Sequence, residues 1–441
     1  MQKKYSVLSL LLVTSLVLSL VGCGQSTVTN QVGETIKEKT TYRLLEEPEL
    51  SYEVPEALPG IRVSVAGYDN SEKKEIYFSG EALPEEFALV DAKNGATVYR
   101  GSLSDISYNK ENGIYSAIGD FSDYTLEGDF YVKAPILGYS YTFPIMEQGK
   151  STFLESAYLN LETMAQTKEG VVENEEAAIL LLLSYELYGS YIREQDEDVP
   201  RILQVVTQYV DKCLEQRELL TDSDVKDDFQ LAALLAKYSY VYQTYDRQRA
   251  AEMIKLAASL WKQAEEALAK DALYPVENRM LAAAELYRAT GTWTYRQIVE
   301  QMVKDSNSKG TLLDNREDVL AAVTYVATKQ RVSVDICTTL MKEIMAKAEN
   351  IAATAERTSS SLGGVSDAAA LDNILWNMVI LCVVEYVITN YEYGNIIKNQ
   401  YYFLLGRNAR GYNYKDLDMA GNPKWAAVDV MMLYERITNN H

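Results

Sequence analysis

The residues of this 441-residue chain that could do acid–base chemistry are carboxylates, because imidazole is almost missing. The sequence has 63 Asp and Glu residues and one histidine, His441, which is its last residue. Mechanisms that need an internal imidazole, such as Ser-His-Asp or Cys-His hydrolysis and His-rich zinc sites, are therefore excluded. A carboxylate pair can still act as acid and base. Glu169, Asp416 and Asp418 stand in polar stretches next to helical segments and are candidates for it.

Aromatic side chains are the second group that could contact a ligand. An apolar helical segment stops at Gly406, since glycine alone enters the left-handed conformation without a Cβ penalty. Polar and aromatic residues follow this stop, as at the rim of a binding cleft. Ligands with an apolar face, as sugar rings have, stack on aromatic side chains. The candidates for such contact, here and in neighbouring segments, are Trp376, Arg407, Asn408, Tyr412, Tyr414 and Trp425. Ordinary packing is the alternative for each aromatic ring, because aromatics also fill helical cores.

Three segments carry a family resemblance. Asn399–Tyr414 resembles the Tyr-Leu-Leu-Gly-Arg-Asn-Pro-Leu-Gly signature of glycoside hydrolase family nine, the endoglucanase-like family. Ala283–Gly291 is the most specific local match, and Leu181–Leu187 is also similar to that family. The resemblance implies an (α/α)6 barrel, also called a six-hairpin barrel, and a sugar cleft. We expect neither a cofactor nor a metal.

The catalytic residues of that family do not carry over to this chain. The family inverts at the anomeric carbon, with an aspartate pair as base and a glutamate as acid, and the two carboxyl groups are about 6.5–9.5 Å apart. Counting back from Tyr185–Leu187 without gaps places the aspartate positions at Thr163 and Gln166, and Pro423 stands where the glutamate belongs. The sugar-gripping Pro-His-His-Arg loop is absent too. We therefore expect a pseudoenzyme.

Relocated carboxylates are the alternative to a pseudoenzyme. Glu169, Glu173 and Glu175 lie near the first shortened loop of the family, and Asp416 and Asp418 lie near the last one. If both loops meet at one end of the barrel, a carboxylate pair can form there. A solvated charged rim is the other interpretation, since catalysis also needs a raised pKa and a preorganised cleft.

The N-terminus is typical of a bacterial lipoprotein. Two lysines precede an apolar run, Val7–Val21, and Leu20–Cys23 resembles the lipobox, in which the cysteine is lipidated. We predict a signal peptide at residues 1–22, lipidation at Cys23 and a flexible tether at 23–57. An uncleaved membrane anchor is the alternative, for which the run is short. The protein is expected at the bacterial cell surface or the extracytoplasmic face of the membrane.

Charge and the remaining cysteines restrict the partners. The formal net charge of −21 argues against nucleic-acid binding and against an anionic membrane surface, so membrane contact is expected through the lipid anchor alone. Cys213, Cys337 and Cys382 are scattered in helical sequence without metal-ligand spacing, and we predict buried, inert thiols.

Residues 58–147 predict an immunoglobulin-like β-sandwich, because short alternating runs are separated by turn residues. The predicted strands are Ile61–Ala66, Glu75–Phe78, Phe87–Asp91, Thr97–Arg100, Gly113–Ile118, Asp129–Ala134 and Tyr139–Ile145. The stretch is also similar to the small N-terminal sandwich of many family-nine enzymes, for which we assign no binding site.

Residues 151–441 predict the barrel. The helical segments are 151–166, 173–190, 198–217, 226–245, 247–269, 275–291, 293–306, 315–329, 333–355, 367–390, 392–405 and 424–438. Segments that are apolar nearly all round alternate with segments that have one apolar stripe, which favours two concentric rings. The predicted function is binding of a β-glucan-type polysaccharide or of an envelope protein partner. An active inverting glycoside hydrolase and a structural scaffold are the alternatives.

Overall fold

The computed structural model describes most of the chain in two compact units, Met1–Gln148 and Gly149–His441. The described residues are 27–29, 35–37, 59–65, 67–110, 113–147, 171–192, 198–219, 228–271, 273–357, 368–388, 393–407, 413–414, 428 and 431. No helix among them is both long enough and apolar enough to span a bilayer.

The first unit is built of β-strands. They are β1 Thr27–Thr29, β2 Thr35–Lys37, β3 Ile61–Arg62, β4 Tyr68–Asp69, β5 Glu75–Gly80, β6 Glu86–Asp91, β7 Thr97–Asn109, β8 Ile114–Asp120, β9 Gly128–Ala134, β10 Gly138–Tyr139 and β11 Phe143–Met146. β1 and β2 pair antiparallel inside the stretch predicted as a tether. Their β-branched composition favours this pairing, which the tether prediction did not include. The remaining strands follow the order β3-β5-β8-β7-β6-β9-β11-β4, with β10 beside β9.

Strand β7 is much longer than the predicted Thr97–Arg100. Its first half pairs with β6, and from Leu103 onwards it pairs with β8. The register shifts between Ser104 and Ser107, so a bulge bends the strand from one sheet into the other. Thus β7 belongs to both sheets. The core between them contains Phe78 and Phe87, whose ring centroids are 5.5 Å apart.

The last predicted strand, Tyr139–Ile145, is divided into β10 and β11. At the break, the Ser140 hydroxyl accepts a hydrogen bond from the Val132 amide at 2.8 Å. A side-chain acceptor therefore takes the place of a ladder acceptor, a local substitution that serine readily makes.

The second unit is helical. The described helices are α1 Val171–Ile192, α2 Arg201–Leu219, α3 Asp228–Tyr242, α4 Arg247–Lys270, α5 Arg279–Thr290, α6 Trp293–Lys309, α7 Arg316–Ala327, α8 Val334–Arg357, α9 Ala368–Ile388 and α10 Gly394–Leu404. Each agrees with a predicted segment to within a few residues. The predicted first segment, 151–166, lies outside the described residues, and Val428 and Met431 are helical within the predicted last one.

Two rings of helices account for the alternating composition. The odd-numbered helices are buried on most sides: α3 buries twelve of its 15 residues, whereas the 24-residue α4 buries six along one stripe. α3 packs against α1 and α5, and α5 packs against α7, so these helices form the inner ring. The even-numbered helices pack outside their sequence neighbours. The mainly helical (α/α)6 barrel and the preceding β-sheet immunoglobulin-like domain are thus confirmed.

The five described inner helices, α1, α3, α5, α7 and α9, begin at the same end of the barrel. At the start of α7, Arg316 contacts Asp372 and Asn373 at the start of α9. Near the C-terminal ends of α1 and α5, Glu186 pairs with Arg288. We call the first end, marked by Arg316 and Asp372, the N-face, and the second, marked by Glu186 and Arg288, the C-face.

Candidate functional site at the N-face of the barrel

The turn after α10 forms the centre of the candidate site. Gly406 adopts φ +113°, a conformation that side chains with a Cβ rarely adopt, and the Arg407 amide donates back to the Tyr402 carbonyl at 2.9 Å. The Tyr414 amide donates to the Leu404 carbonyl at 2.9 Å, so the chain doubles back beside the helix end. Because a short connection makes α9 and α10 antiparallel neighbours, this turn lies at the N-face.

Arg407 and Tyr414 both turn inward from this segment. The Arg407 guanidinium donates to the Asn399 side-chain oxygen and lies 5.6 Å from the centroid of the Tyr402 ring. Tyr414 is buried and stacks on Phe403, with centroids 6.4 Å apart and an interplanar angle of 12°. Each side chain braces the turn.

Trp376 is also covered. It lies on inner helix α9 and is 7% exposed. The Arg316 guanidinium is held by Asp372 and lies 5.6 Å from the Trp376 ring centroid. These contacts fit the packing alternative for Trp376 and Tyr414, since a sugar ring needs an open aromatic face. Asn408, Tyr412 and Trp425 lie outside the described residues, and their assignment stays a prediction.

The predicted substitute carboxylates lie mostly outside the described residues. This applies to Glu169, Asp416 and Asp418, and also to the side chain of Glu173. Glu175 is described and buried. Burial raises the pKa of Cys213 to about 12, and the negative charge of Glu175 contributes to this rise. The Glu175 carboxylate therefore lies near Cys213 on outer helix α2. The other two described cysteines, Cys337 and Cys382, are free thiols, half-buried and buried respectively.

Two carboxylates that the sequence analysis missed begin α7 at the N-face. Burial, together with the neighbouring charge of Glu317, raises the pKa of Asp318 to about 6, against a hydrogen bond from Asn315 that lowers it. Burial and the charge of Glu176 raise the pKa of Glu317. The sequence could have located these two carboxylates at a helix start, because Asn315 followed by acidic residues is typical of the first turn of a helix.

Charges on three inner helices, α1, α3 and α5, meet at the C-face. The Lys237 ammonium contacts Glu186 at 2.6 Å and Glu285 at 3.1 Å, and Arg288 contacts both carboxylates. The Thr324 hydroxyl donates to Glu285 at 2.8 Å. Burial opposes ionisation of Glu186, but Lys237 and Arg288 hold its pKa below the usual range. Glu186 is therefore not placed to give up a proton in catalysis.

This C-face network explains two of the family-like segments. Glu186 lies in Leu181–Leu187, and Glu285 and Arg288 lie in Ala283–Gly291. These segments therefore contribute buried ion pairs that join the inner helices. Among the described residues, no group of three or more His, Cys, Asp or Glu side chains is arranged to hold a metal ion.

Family models match both units. Residues 56–138 match the cellulase N-terminal ig-like domain, and residues 215–415 match glycosyl hydrolase family 9. No match was found among curated proteins.

Solved structures show the same fold. A metagenome-derived family 9 endoglucanase is 16% identical to this chain with a TM-score of 0.65, and the match covers 80% of this chain and 84% of the endoglucanase. A Bacteroides ovatus family 9 protein is 14% identical with a TM-score of 0.63, covering 87% and 99%. A thermostable endoglucanase from Alicyclobacillus acidocaldarius is 14% identical with a TM-score of 0.64, covering 82% and 84%. Residues 56–138 are therefore similar to a cellulase N-terminal ig-like domain and residues 215–415 to glycosyl hydrolase family 9, and the chain shares the fold of the solved family 9 structures.

Proposed function

We propose that this protein is a lipid-anchored, extracytoplasmic carbohydrate-binding protein that keeps the family 9 fold without its hydrolysis. One observation carries the proposal. In the gapless count from Tyr185–Leu187, Thr163 and Gln166 fall where the family has its base, and Pro423 stands where it has its acid. None of these side chains can take up or release a proton as a carboxyl group does. The described charge network is consistent with it, because Lys237 and Arg288 lower the pKa of Glu186, and Glu285 is committed to salt bridges with the same two cations.

The ligand that fits best is a neutral β-glucan-type chain. Both units match modules named for cellulases and glycosyl hydrolases, and one similar structure is that of AaCel9A in complex with cellobiose-like isofagomine. The N-face turn at Gly406 is retained and braced by Arg407, so it can present the residues that follow it. Among these, Asn408, Tyr412 and Trp425 are the contacts we propose. An envelope protein at the same face is the competing partner.

A hydrolase with relocated carboxylates is the second candidate, and one observation favours it. Asp318 lies at the N-face with its pKa raised to about 6, which suits a general acid near neutral pH. Its hydrogen bond with the Asn315 side chain at the start of α7 favours a local structural role instead.

Binding and turnover measured on the same purified protein separate the two candidates. We expect soluble β-glucan, mixed-linkage glucan or xyloglucan to bind, with no reducing ends released at high protein concentration. Release that disappears in Asp318→Asn, Glu169→Gln or Asp416→Asn would establish the hydrolase. Glu266→Gln is the control, because this carboxylate is exposed on outer helix α4. Absence of both binding and release would reject carbohydrate recognition at the N-face.

A further inference from the structure

One tryptophan stands out among those that the structure describes. Trp261 and Trp376 are each 7% exposed, whereas Trp293 is 54% exposed. Trp293 begins α6, directly after the left-handed Gly291 that ends α5. It therefore lies at the C-face, opposite the N-face turn. Its indole offers an apolar face and an N–H group to solvent.

The indole is held from one side. The Arg296 guanidinium lies 4.7 Å from the Trp293 ring centroid and donates to Glu300. Glu300 in turn accepts a hydrogen bond at 2.6 Å from the hydroxyl of Tyr325, a residue of the inner ring that is almost fully buried. A chain of contacts thus fixes Arg296 against one face of the ring. The exposed fraction of Trp293 is presented at little entropic cost.

The turn between α7 and α8 is hydrogen-bonded to the C-terminal end of α5, close to Trp293. The Gln330 side chain donates to the Arg288 carbonyl at 3.2 Å, and the Tyr287 hydroxyl donates to the Arg331 carbonyl. The turn between α7 and α8 is therefore a neighbour of the turn that carries Trp293. This arrangement makes the surroundings of the indole rigid.

Charge and size decide what such a surface can bind. Arg296 is paired with Glu300, so the platform has no unpaired charge, and the chain as a whole carries −21. Anionic ligands are disfavoured. A stable protein interface buries about 800 Å² on each partner, whereas a fully exposed aromatic side chain offers only roughly 150–250 Å². The platform instead matches the apolar face of one or two sugar rings.

We propose that Trp293, stacked on Arg296, is a second carbohydrate-binding site that takes one or two pyranose units of a neutral polysaccharide. The site is distinct from the N-face turn and does not depend on binding there. Trp293 supplies the stacking surface. Arg296 is a positioning residue, because its planar guanidinium holds the ring from behind.

The test is native affinity electrophoresis of the full protein through gels that contain mixed-linkage β-glucan, xyloglucan or no polysaccharide. Trp293→Ala should weaken retention, with the dissociation constant rising about 2- to 10-fold. Trp293→Phe should keep most of the retention, since an aromatic face remains. Arg296→Lys keeps the charge but loses the planar contact, so it should weaken retention less than Trp293→Ala does. Leu273→Ala removes another exposed apolar side chain and should leave retention unchanged.

Tryptophan fluorescence gives a second readout. Polysaccharide should alter the emission of the wild type more than that of Trp293→Ala, in which Trp425 at the N-face is the remaining tryptophan proposed to contact a glycan. Retention of Trp293→Ala equal to that of wild type would overturn the proposal, as would a wild type that neither polysaccharide retains. Retention lost in Tyr412→Ala but unchanged in Trp293→Ala would leave the N-face proposal standing and reject this one. Equal loss in Leu273→Ala would show that retention reports general surface hydrophobicity and would also reject it.

Discussion

Glu186 on α1 and Arg288 on α5 are 102 residues apart in the sequence, and a 2.6 Å contact joins them at the C-face. Lys237, which is 1% exposed, links Glu186 to Glu285 and completes an alternating set of two anions and two cations. The network is therefore neutral as a whole. Because the network is buried, the stability of the protein depends on each of these charges keeping a partner of opposite sign.

Removing one cation should expose this dependence. Lys237→Met leaves two carboxylates facing a single guanidinium, so we expect the free energy of unfolding to fall by about 3–5 kcal/mol. Denaturant titration followed by circular dichroism measures it. Lys262→Met is the matched control, since Lys262 is 78% exposed in its pair with Glu266, and it should change stability by less than about 0.5 kcal/mol. Equal effects of the two changes would contradict the importance of the network.

Asp318 should make stability depend on pH. Its folded-state pKa is raised from 3.8 to about 6, so the folded protein binds this proton more tightly than the unfolded chain does. The contribution is fully present below about pH 3.8 and is lost as the pH rises through about 6. Asp318→Asn removes it, and the stability of the variant relative to wild type should rise between pH 4 and pH 7. Melting temperatures of both proteins across that range measure the difference. A difference that stays constant with pH would contradict the raised pKa of Asp318.

Tyr412 and Tyr414 should behave differently although only Asn413 separates them. Tyr414 is buried against Phe403, so Tyr414→Ala should lower the free energy of unfolding by about 3 kcal/mol. Tyr412→Ala should weaken glycan binding, each stacked contact contributing about 1 kcal/mol, with little change in melting temperature. Thermal melts and binding isotherms on the same preparations give both quantities. If Tyr414→Ala weakened binding while leaving the melting temperature intact, the packing role of Tyr414 would be wrong.

Cys23 should set the location of the protein. The lipobox-like Leu20–Cys23 predicts lipidation, so Cys23→Ser should release the protein from the membrane fraction. Fractionation of cells that express each form measures this. Cys337→Ser is the control, because Cys337 lies on outer helix α8 in the barrel. Membrane association that is unchanged in Cys23→Ser would reject the lipoprotein assignment.

The assignment of helices to the inner or the outer ring was predictable, because the spacing of apolar residues along a helix shows how many of its sides are buried. α3 reads as apolar nearly all round and α4 as one apolar stripe, and these patterns correspond to inner and outer positions. The helix end at Gly406 was predictable for a local reason, since only a glycine fits the backbone there. Strand β7 was cut short in the prediction because its second half alternates weakly and is exposed.

The side-chain arrangement of the site was not predictable to the same degree. Glu186 and Arg288 looked like parts of family-like segments, and only the tertiary structure brings them together. Trp376 was a reasonable candidate for sugar contact, because nothing local in the sequence shows that Arg316 covers it. Pairings across large sequence separations depend on which helices are neighbours, and a single sequence does not state that.

The path of β7 has a mechanical consequence. One continuous strand is hydrogen-bonded to β6 along its first half and to β8 along its second half. The two sheets therefore cannot move past each other independently. Relative movement of the sheets would stretch the backbone of β7 at Ser104–Ser107, where the strand passes from one sheet to the other. Under tension, the domain should resist until the ladders on both halves of β7 yield together. If the protein is anchored at Cys23 as proposed, this shared strand would transmit tension from one sheet directly to the other.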